Sequence, residues 1–130
     1  MKVLPGDLIL AARKAAEKAY APYSKVKVGA ALLTDIGVFT AANIENASYS
    51  LTMCAERIAI FKAINNGAKE FMAMAVHSPN LFPVPCGACL QVMAEFAGED
   101  FVIIVDGAGM SEEYTLRELL PKRFSLSIEK

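Results

Sequence analysis

Hydrophobic residues recur at helical spacing in the first part of the chain. Apolar side chains at positions 8, 11, 12, 15, 16 and 19 form one face of a helix predicted over residues 7–20. A second helix is predicted from Cys54 to the Asn-Asn-Gly turn at 65–67, and a third from Cys86 to Gly98. A short fourth helix at 117–120 stops at Pro121, because proline cannot continue a helix.

Runs rich in β-forming or apolar residues separate these helices. They lie at 28–34, 38–46, 71–78, 101–107 and 112–116. The turn at 35–37 joins the first two runs into a predicted hairpin, and the unbroken apolar run at 71–78 predicts a strand buried on both faces. Helices alternating with buried strands predict an α/β fold, a three-layer α/β/α sandwich with a mixed five-stranded sheet.

The length and composition of the chain indicate how many domains it forms, where it is located and which partners it can have. With 130 residues, the chain is expected to form a single domain over residues 1–130. The hydrophobic fraction of 55% is high for so small a domain, so we expect part of the apolar surface at subunit interfaces. The net charge of −1 provides no attraction to nucleic acid, and the apolar runs are too short to span a membrane. We therefore expect a cytoplasmic protein with no nucleic-acid or membrane partner.

The three cysteines stand at the starts of two predicted helices. Cys86 and Cys89 form a C-x-x-C pair, which is typical of a redox pair or of half a zinc site. A redox pair leaves Cys54 without a role. Three thiolates can instead take three positions of a tetrahedral Zn²⁺ and leave the fourth to water, as in catalytic zinc sites. The positive end of a helix dipole favours thiolate over thiol at such positions.

Glu56 and Arg57 follow the first of these cysteines directly. A carboxylate two residues after a metal ligand can reach a bound water, and a neighbouring cation offsets the charge of three thiolates. Taken alone, Cys54 and Glu56 also fit a buried sulfur and a first-turn acid, and Cys86 with Cys89 also fits a structural metal pair. The occurrence of all three cysteines in this pattern favours a catalytic site.

Four segments together resemble the zinc-dependent cytidine deaminases, specifically the small homotetrameric type with three cysteine ligands. They are YAPYSKVKVGAALLT (20–34), NIENASYSLTMCAERIAIFKA (43–63), PCGACLQVMAEF (85–96) and LRELLPKRF (116–124). The resemblance covers almost the whole chain. It implies a cytidine deaminase-like fold, Zn²⁺ as cofactor, and a homotetramer with shared active sites.

The resemblance also implies a role for individual residues. Cys54, Cys86 and Cys89 correspond to the zinc ligands, Glu56 to the catalytic proton shuttle, and Arg57 to the residue that offsets the sulfur charge. The implied substrate contacts are Asn43 and Glu45 at the ribose, backbone groups at Ala55 at the pyrimidine edge, Val26 in the base pocket, and Ala47, Tyr49 and Phe124 toward the nucleoside of a neighbouring subunit.

Two positions depart from the family pattern. Val26 stands where the family usually has Phe lining the base pocket, and Leu90 stands where it commonly has Arg after the second cysteine of the pair. Neither departure touches a ligand or Glu56. They bear on substrate range and rate rather than on the reaction.

The reaction implied by the resemblance is hydrolytic deamination of cytidine and deoxycytidine to uridine and deoxyuridine, with release of ammonia, as in pyrimidine salvage. One alternative is a related deaminase for another aminopyrimidine, such as the nucleoside antibiotic blasticidin S. A second alternative is a non-enzymatic zinc module, which needs a fourth protein ligand. His77 is the one histidine in the sequence and the only nitrogen candidate for that position.

Overall fold

The helices and strands follow one another in the predicted order in the computed structural model, which describes residues 3–126. They are α1 (Pro5–Ala16), β1 (Gly29–Thr34), β2 (Gly37–Ala42), a 3₁₀ turn (Tyr49–Leu51), α2 (Ala55–Asn65), β3 (Phe71–Ser78), α3 (Gly87–Phe96), β4 (Val102–Gly107), β5 (Met110–Thr115) and α4 (Leu116–Leu119). Over this described part of the chain, no helix has both the length and the apolar character needed to cross a membrane.

The strands form one mixed sheet in the order β2-β1-β3-β4-β5. β3 and β4 are parallel, and the other neighbouring pairs are antiparallel. α3 makes the crossover that the parallel pair requires. The predicted mixed five-stranded sheet is confirmed, and β3 lies at its centre.

Helices cover both faces of the sheet, so the predicted α/β/α layering is also confirmed. On one face, α2 and α3 pack over alternate residues of the central strands in a large apolar core. On the other face, α1 packs against β1 and β3 through small residues. A Cβ added at Gly29 would come 2.0 Å from the carbonyl oxygen of Ala12, so the helix backbone lies directly on the strand.

Two elements are shorter than predicted, for a shared reason. α1 ends at Ala16 rather than at residue 20, and β2 ends at Ala42 rather than at residue 46. The backbone of Tyr20 pairs with the chain beyond β2, donating to the carbonyl of Asn43 (3.0 Å) and accepting from the N–H of Glu45 (2.8 Å). This tertiary pairing replaces the local hydrogen bonds of a longer helix.

A buried carboxylate links α1 to the carboxyl ends of the parallel strands. Arg13 donates to both oxygens of Asp106 (2.8 and 3.1 Å), and His77 Nδ1 lies 2.8 Å from Oδ2 of the same carboxylate. The Arg13 hydrogen bonds, followed by that of His77, hold the pKa of Asp106 below its usual range.

Asp106→Asn is expected to lower the free energy of unfolding at pH 7 by about 1–3 kcal/mol, because an amide cannot accept both Arg13 bonds. A carboxyl whose pKa is lowered by folding stabilises the protein above its unfolded pKa of about 3.9, and this contribution is lost as the pH falls through the folded value. Urea unfolding of both proteins at several pH values measures the difference. The difference in the free energy of unfolding between the two proteins should become smaller below about pH 4. A difference that does not change with pH would contradict a stabilising role for the ionised Asp106 carboxylate.

Candidate metal centre and substrate cavity

Cys54 and Cys86 occupy equivalent positions, each immediately before a helix. Cys54 is the N-cap residue of α2 and Cys86 that of α3, and both have extended backbones. Neither side chain makes a capping hydrogen bond. The sulfurs therefore remain available to a ligand while they lie beside the positive ends of two helix dipoles.

The three cysteine sulfurs form one cluster, with all of them within 4.8 Å of one another. The Sγ atoms of Cys54 and Cys86 are 4.0 Å apart, and those of Cys86 and Cys89 are 3.5 Å apart. Tetrahedral zinc with Zn–S distances of about 2.3 Å places its sulfurs about 3.8 Å apart. The cluster therefore fits three positions of a zinc ion, and within residues 3–126 no histidine or carboxylate joins it as a fourth.

Arg57 supplies positive charge to this cluster. Its Nη2 donates to Cys54 Sγ at 3.3 Å. The neighbouring Cys89 thiol, followed by Arg57, lowers the pKa of Cys54. The nearby Cys54 sulfur, together with burial, raises the pKa of Cys89. Leu90, which departs from the family pattern, is buried in the apolar core instead of adding a second cation.

Glu56 lies in the first turn of α2 and is 5% exposed. Burial raises the pKa of its carboxyl to about 7. Among the described residues no salt bridge neutralises this carboxylate. A carboxyl with a pKa near neutral can both accept and donate a proton under physiological conditions.

A cavity of about 220 Å³ adjoins the cluster, and three of the seven predicted substrate contacts line it. Of the predicted site residues, its lining includes Val26, Asn43, Cys54, Ala55, Glu56 and Cys86. The remaining walls are mainly apolar, which suits an aromatic base with a few polar groups to orient it.

Asn43 sits at one side of this cavity and holds the neighbouring backbone. Its Oδ1 accepts from Val28 N, and its Nδ2 donates to Val26 O, both at 2.9 Å. A primary amide has two donor hydrogens and two acceptor lone pairs. One of each therefore remains for another partner.

Glu45 is not part of the cavity lining. Its Oε1 accepts from the N–H groups of Tyr23 (3.0 Å) and Ser24 (3.1 Å), and its Oε2 accepts from the Ser24 hydroxyl. These hydrogen bonds, that of the Ser24 side chain foremost, lower the pKa of Glu45. The carboxylate fixes the loop that precedes β1.

Ala47, Tyr49 and Phe124 do not line the cavity of their own chain. The Tyr49 ring is 69% exposed and packs edge-on against Tyr23, with ring centroids 6.0 Å apart. Phe124 is 68% exposed, and its carbonyl accepts from Gln91 Nε2 at 2.9 Å. Both rings are free to contact another molecule.

His77 lies on the α1 face of the sheet, paired with Asp106, and it is not part of the sulfur cluster. This placement removes the nitrogen ligand that a purely structural zinc module would need. A larger cleft of about 430 Å³ opens beside His77 and Asp106, but its lining includes none of the predicted site residues.

Sequence reasoning missed about half of the cavity wall. The additional lining residues are Val28, Thr52, Met53, Leu81, Pro83 and Val84. Three of them belong to the proline-rich stretch before Cys86, which showed no helical or strand periodicity. The signal available in the sequence was the closeness of this apolar stretch to a metal-ligand candidate.

A sequence model of the family described as the cytidine and deoxycytidylate deaminase zinc-binding region matches residues 6–105. The chain belongs to this zinc-binding deaminase family. A cytidine deaminase from Sporosarcina psychrophila is 50% identical over 121 residues, covering 91% of this chain and 89% of that protein.

A crystal structure of cytidine deaminase from Burkholderia pseudomallei superposes with a TM-score of 0.88 and 45% identity, covering 94% of this chain and all of that one. A blasticidin-S deaminase from Bacillus cereus is 35% identical over 112 residues, covering 78% of this chain and 79% of that protein. These similarities show the fold and the family of the chain.

Cys86→Ala is expected to lose bound zinc, because two thiolates hold the ion far less tightly than three. Cys86 is exposed, so its truncation removes little core packing, and any loss of thermal stability should come from the metal. Metal analysis and melting curves measure both effects. Chelator-treated wild type is the matched control, and its melting temperature should equal that of the variant. Full zinc content in Cys86→Ala would contradict a ligand role for Cys86.

Proposed function

We propose that the chain catalyses the hydrolytic deamination of cytidine and deoxycytidine to uridine and deoxyuridine, with release of ammonia. The observation that carries this proposal is the joint presence of the sulfur cluster and the buried Glu56 at one apolar cavity. Membership of the zinc-binding deaminase family supports it. We further propose that residues 1–130 form one catalytic domain that acts in the cytoplasm, where free thiols stay reduced.

In this proposal Cys54, Cys86 and Cys89 hold the zinc ion, and Arg57 offsets part of their negative charge. When bound, zinc supplies the Lewis acidity that makes a water molecule nucleophilic near neutral pH. Backbone groups at Ala55 and Cys86, at the two helix starts, orient the pyrimidine edge.

Glu56 moves the protons. Its carboxylate takes one proton from the attacking water and delivers it to N3 of the cytosine ring as the water oxygen bonds to C4. It then takes the second proton of that water and delivers it to the amino group, which leaves as ammonia when the C4–N4 bond breaks. The pKa of about 7 suits a group that performs both transfers.

Asn43 and Glu45 bind the ribose in this proposal. Asn43 keeps one donor and one acceptor after holding the backbone of Val26 and Val28, and these suit a sugar hydroxyl. Glu45 keeps acceptor capacity on Oε2 beyond the bond from Ser24. Both side chains therefore arrange the pocket wall and meet the substrate.

We also propose a homotetramer in which Ala47, Tyr49 and Phe124 reach the nucleoside bound to a neighbouring subunit. Tyr49 and Phe124 present large apolar surfaces that residues 3–126 of their own chain leave uncovered, and this supports the proposal. Val26 lines the base pocket of its own chain.

Glu56→Gln should lower kcat for cytidine by about 10²–10⁴-fold, because an amide of the same size cannot move the protons. Zinc content and melting temperature should be retained. The loss of ultraviolet absorbance on deamination measures the rate, and Glu17→Gln, at an exposed position beyond α1, is the matched control. Near wild-type turnover by Glu56→Gln would refute the shuttle role. Wild type that deaminates blasticidin S but not cytidine would favour the alternative substrate.

Shared active sites predict complementation between two defective variants. Phe124→Ala should raise the KM for cytidine, and Glu56→Gln should lower kcat. In an oligomer built from one variant alone, every active site carries the defect of that variant. Dissociation, mixing and reassembly create sites that combine an intact Glu56 with an intact Phe124 from different chains. We expect the mixture to exceed the summed activity of the two variants, with light scattering giving four chains per particle. A fully active monomer would contradict sharing.

A further inference from the structure

The stretch at 23–28, between α1 and β1, contributes to the cavity wall and lies in no helix or strand. Its N–H groups donate mostly to side chains instead of to a backbone ladder. The N–H groups of Tyr23 and Ser24 donate to the Glu45 carboxylate, and that of Val26 donates to Ser24 Oγ at 3.0 Å. The N–H of Lys27 donates to Asn80 Oδ1, and that of Val28 donates to Asn43 Oδ1, both at 2.9 Å. We call residues 23–28 the entry wall.

Asn80 is the acceptor that belongs to a separate segment, the loop that leads from β3 to Cys86. It lies directly before Leu81, and Leu81, Pro83 and Val84 of this loop line the same cavity as Val26. The Asn80–Lys27 hydrogen bond joins residues 53 positions apart in the sequence. It is therefore a direct link between the entry wall and the loop after β3.

The loop that carries Asn80 is itself fixed to the ends of the parallel strands. Asn80 N donates to Ser78 Oγ at 3.1 Å, and Ser78 is fully buried. The carbonyl of Leu81 packs so closely on Gly107 that an added Cβ would come within 2.1 Å of it. Because this loop is anchored to the sheet, the position of Asn80 is fixed. Its hydrogen bond to Lys27 N–H then fixes the less regular entry wall.

We propose that Asn80 is a positioning residue that fixes the entry wall relative to the loop after β3, the two segments that both contribute apolar side chains to the nucleoside cavity. This inference rests on the proposed function. Asn80 is not part of the cavity lining and acts through the backbone of Lys27, which places Val26. The sulfur cluster and Glu56 are carried by α2 and α3, which this hydrogen bond does not hold.

Asn80→Ala is therefore expected to weaken substrate binding while the chemical step is retained. The KM for cytidine should rise about 2- to 10-fold, the range that corresponds to the loss of one hydrogen bond, with kcat nearly unchanged. Asn80→Asp keeps an acceptor for the Lys27 N–H and should restore a KM close to wild type.

Asn66→Ala is the matched control. Asn66 is also exposed and makes one side-chain hydrogen bond to a backbone carbonyl, at the far end of α2 (2.8 Å to Lys62 O). Its KM should equal that of wild type. An unchanged KM in Asn80→Ala, a KM in Asn80→Asp as high as in Asn80→Ala, or an equal fall in kcat would each overturn the positioning role.

Amide hydrogen exchange, followed by NMR, tests the same inference without turnover. In Asn80→Ala, exchange at Lys27 should accelerate while Val28, which donates to Asn43, stays protected. Unchanged exchange at Lys27 would overturn the proposal. Wild type inactive on cytidine and deoxycytidine would instead refute the proposed function, and with it any nucleoside role for Asn80. Active wild type with an unaltered variant refutes only the role of Asn80.

Discussion

The meeting of two helix amino termini is the constraint on which the site depends. α2 leads into β3 through a short turn and α3 follows β3, so both helices begin near the carboxyl end of the same central strand. This arrangement places Cys54 and Cys86, the two N-cap residues, within bonding distance of one ion. Cys89 joins them because it lies one turn into α3.

The same geometry distributes charge in a way that suits a proton-transferring site. Arg57 contacts Cys54, so negative charge at the cluster has a nearby cation. Glu56 is buried in the first turn of α2, and this burial raises the pKa of its carboxyl to about 7. The apolar side chain of Leu90 contributes to the core instead, which leaves Arg57 as the guanidinium that contacts the sulfurs within the described residues.

The regular part of this architecture was predictable from the sequence because periodicity and capping are local signals. The strand at 71–78, the turn before β2 and the cysteines at helix starts all have local signatures. The entry wall and the loop before Cys86 have none, since their conformation is set by side chains distant in sequence, such as Asn80 and Asn43. The early end of α1 has the same origin, in pairing between Tyr20 and the chain after β2.

The residues that determine the backbone path of the entry wall are not the same as Val26, the residue in it whose side chain lines the cavity. The backbone of the entry wall is held by Asn43, Glu45 and Asn80, whereas Val26 contributes only its N–H and carbonyl to this scheme. The size of the side chain at position 26 can therefore be altered without rerouting the main chain around it. The cavity wall is open to reshaping at this one position while the hydrogen bonds that fix its backbone are kept.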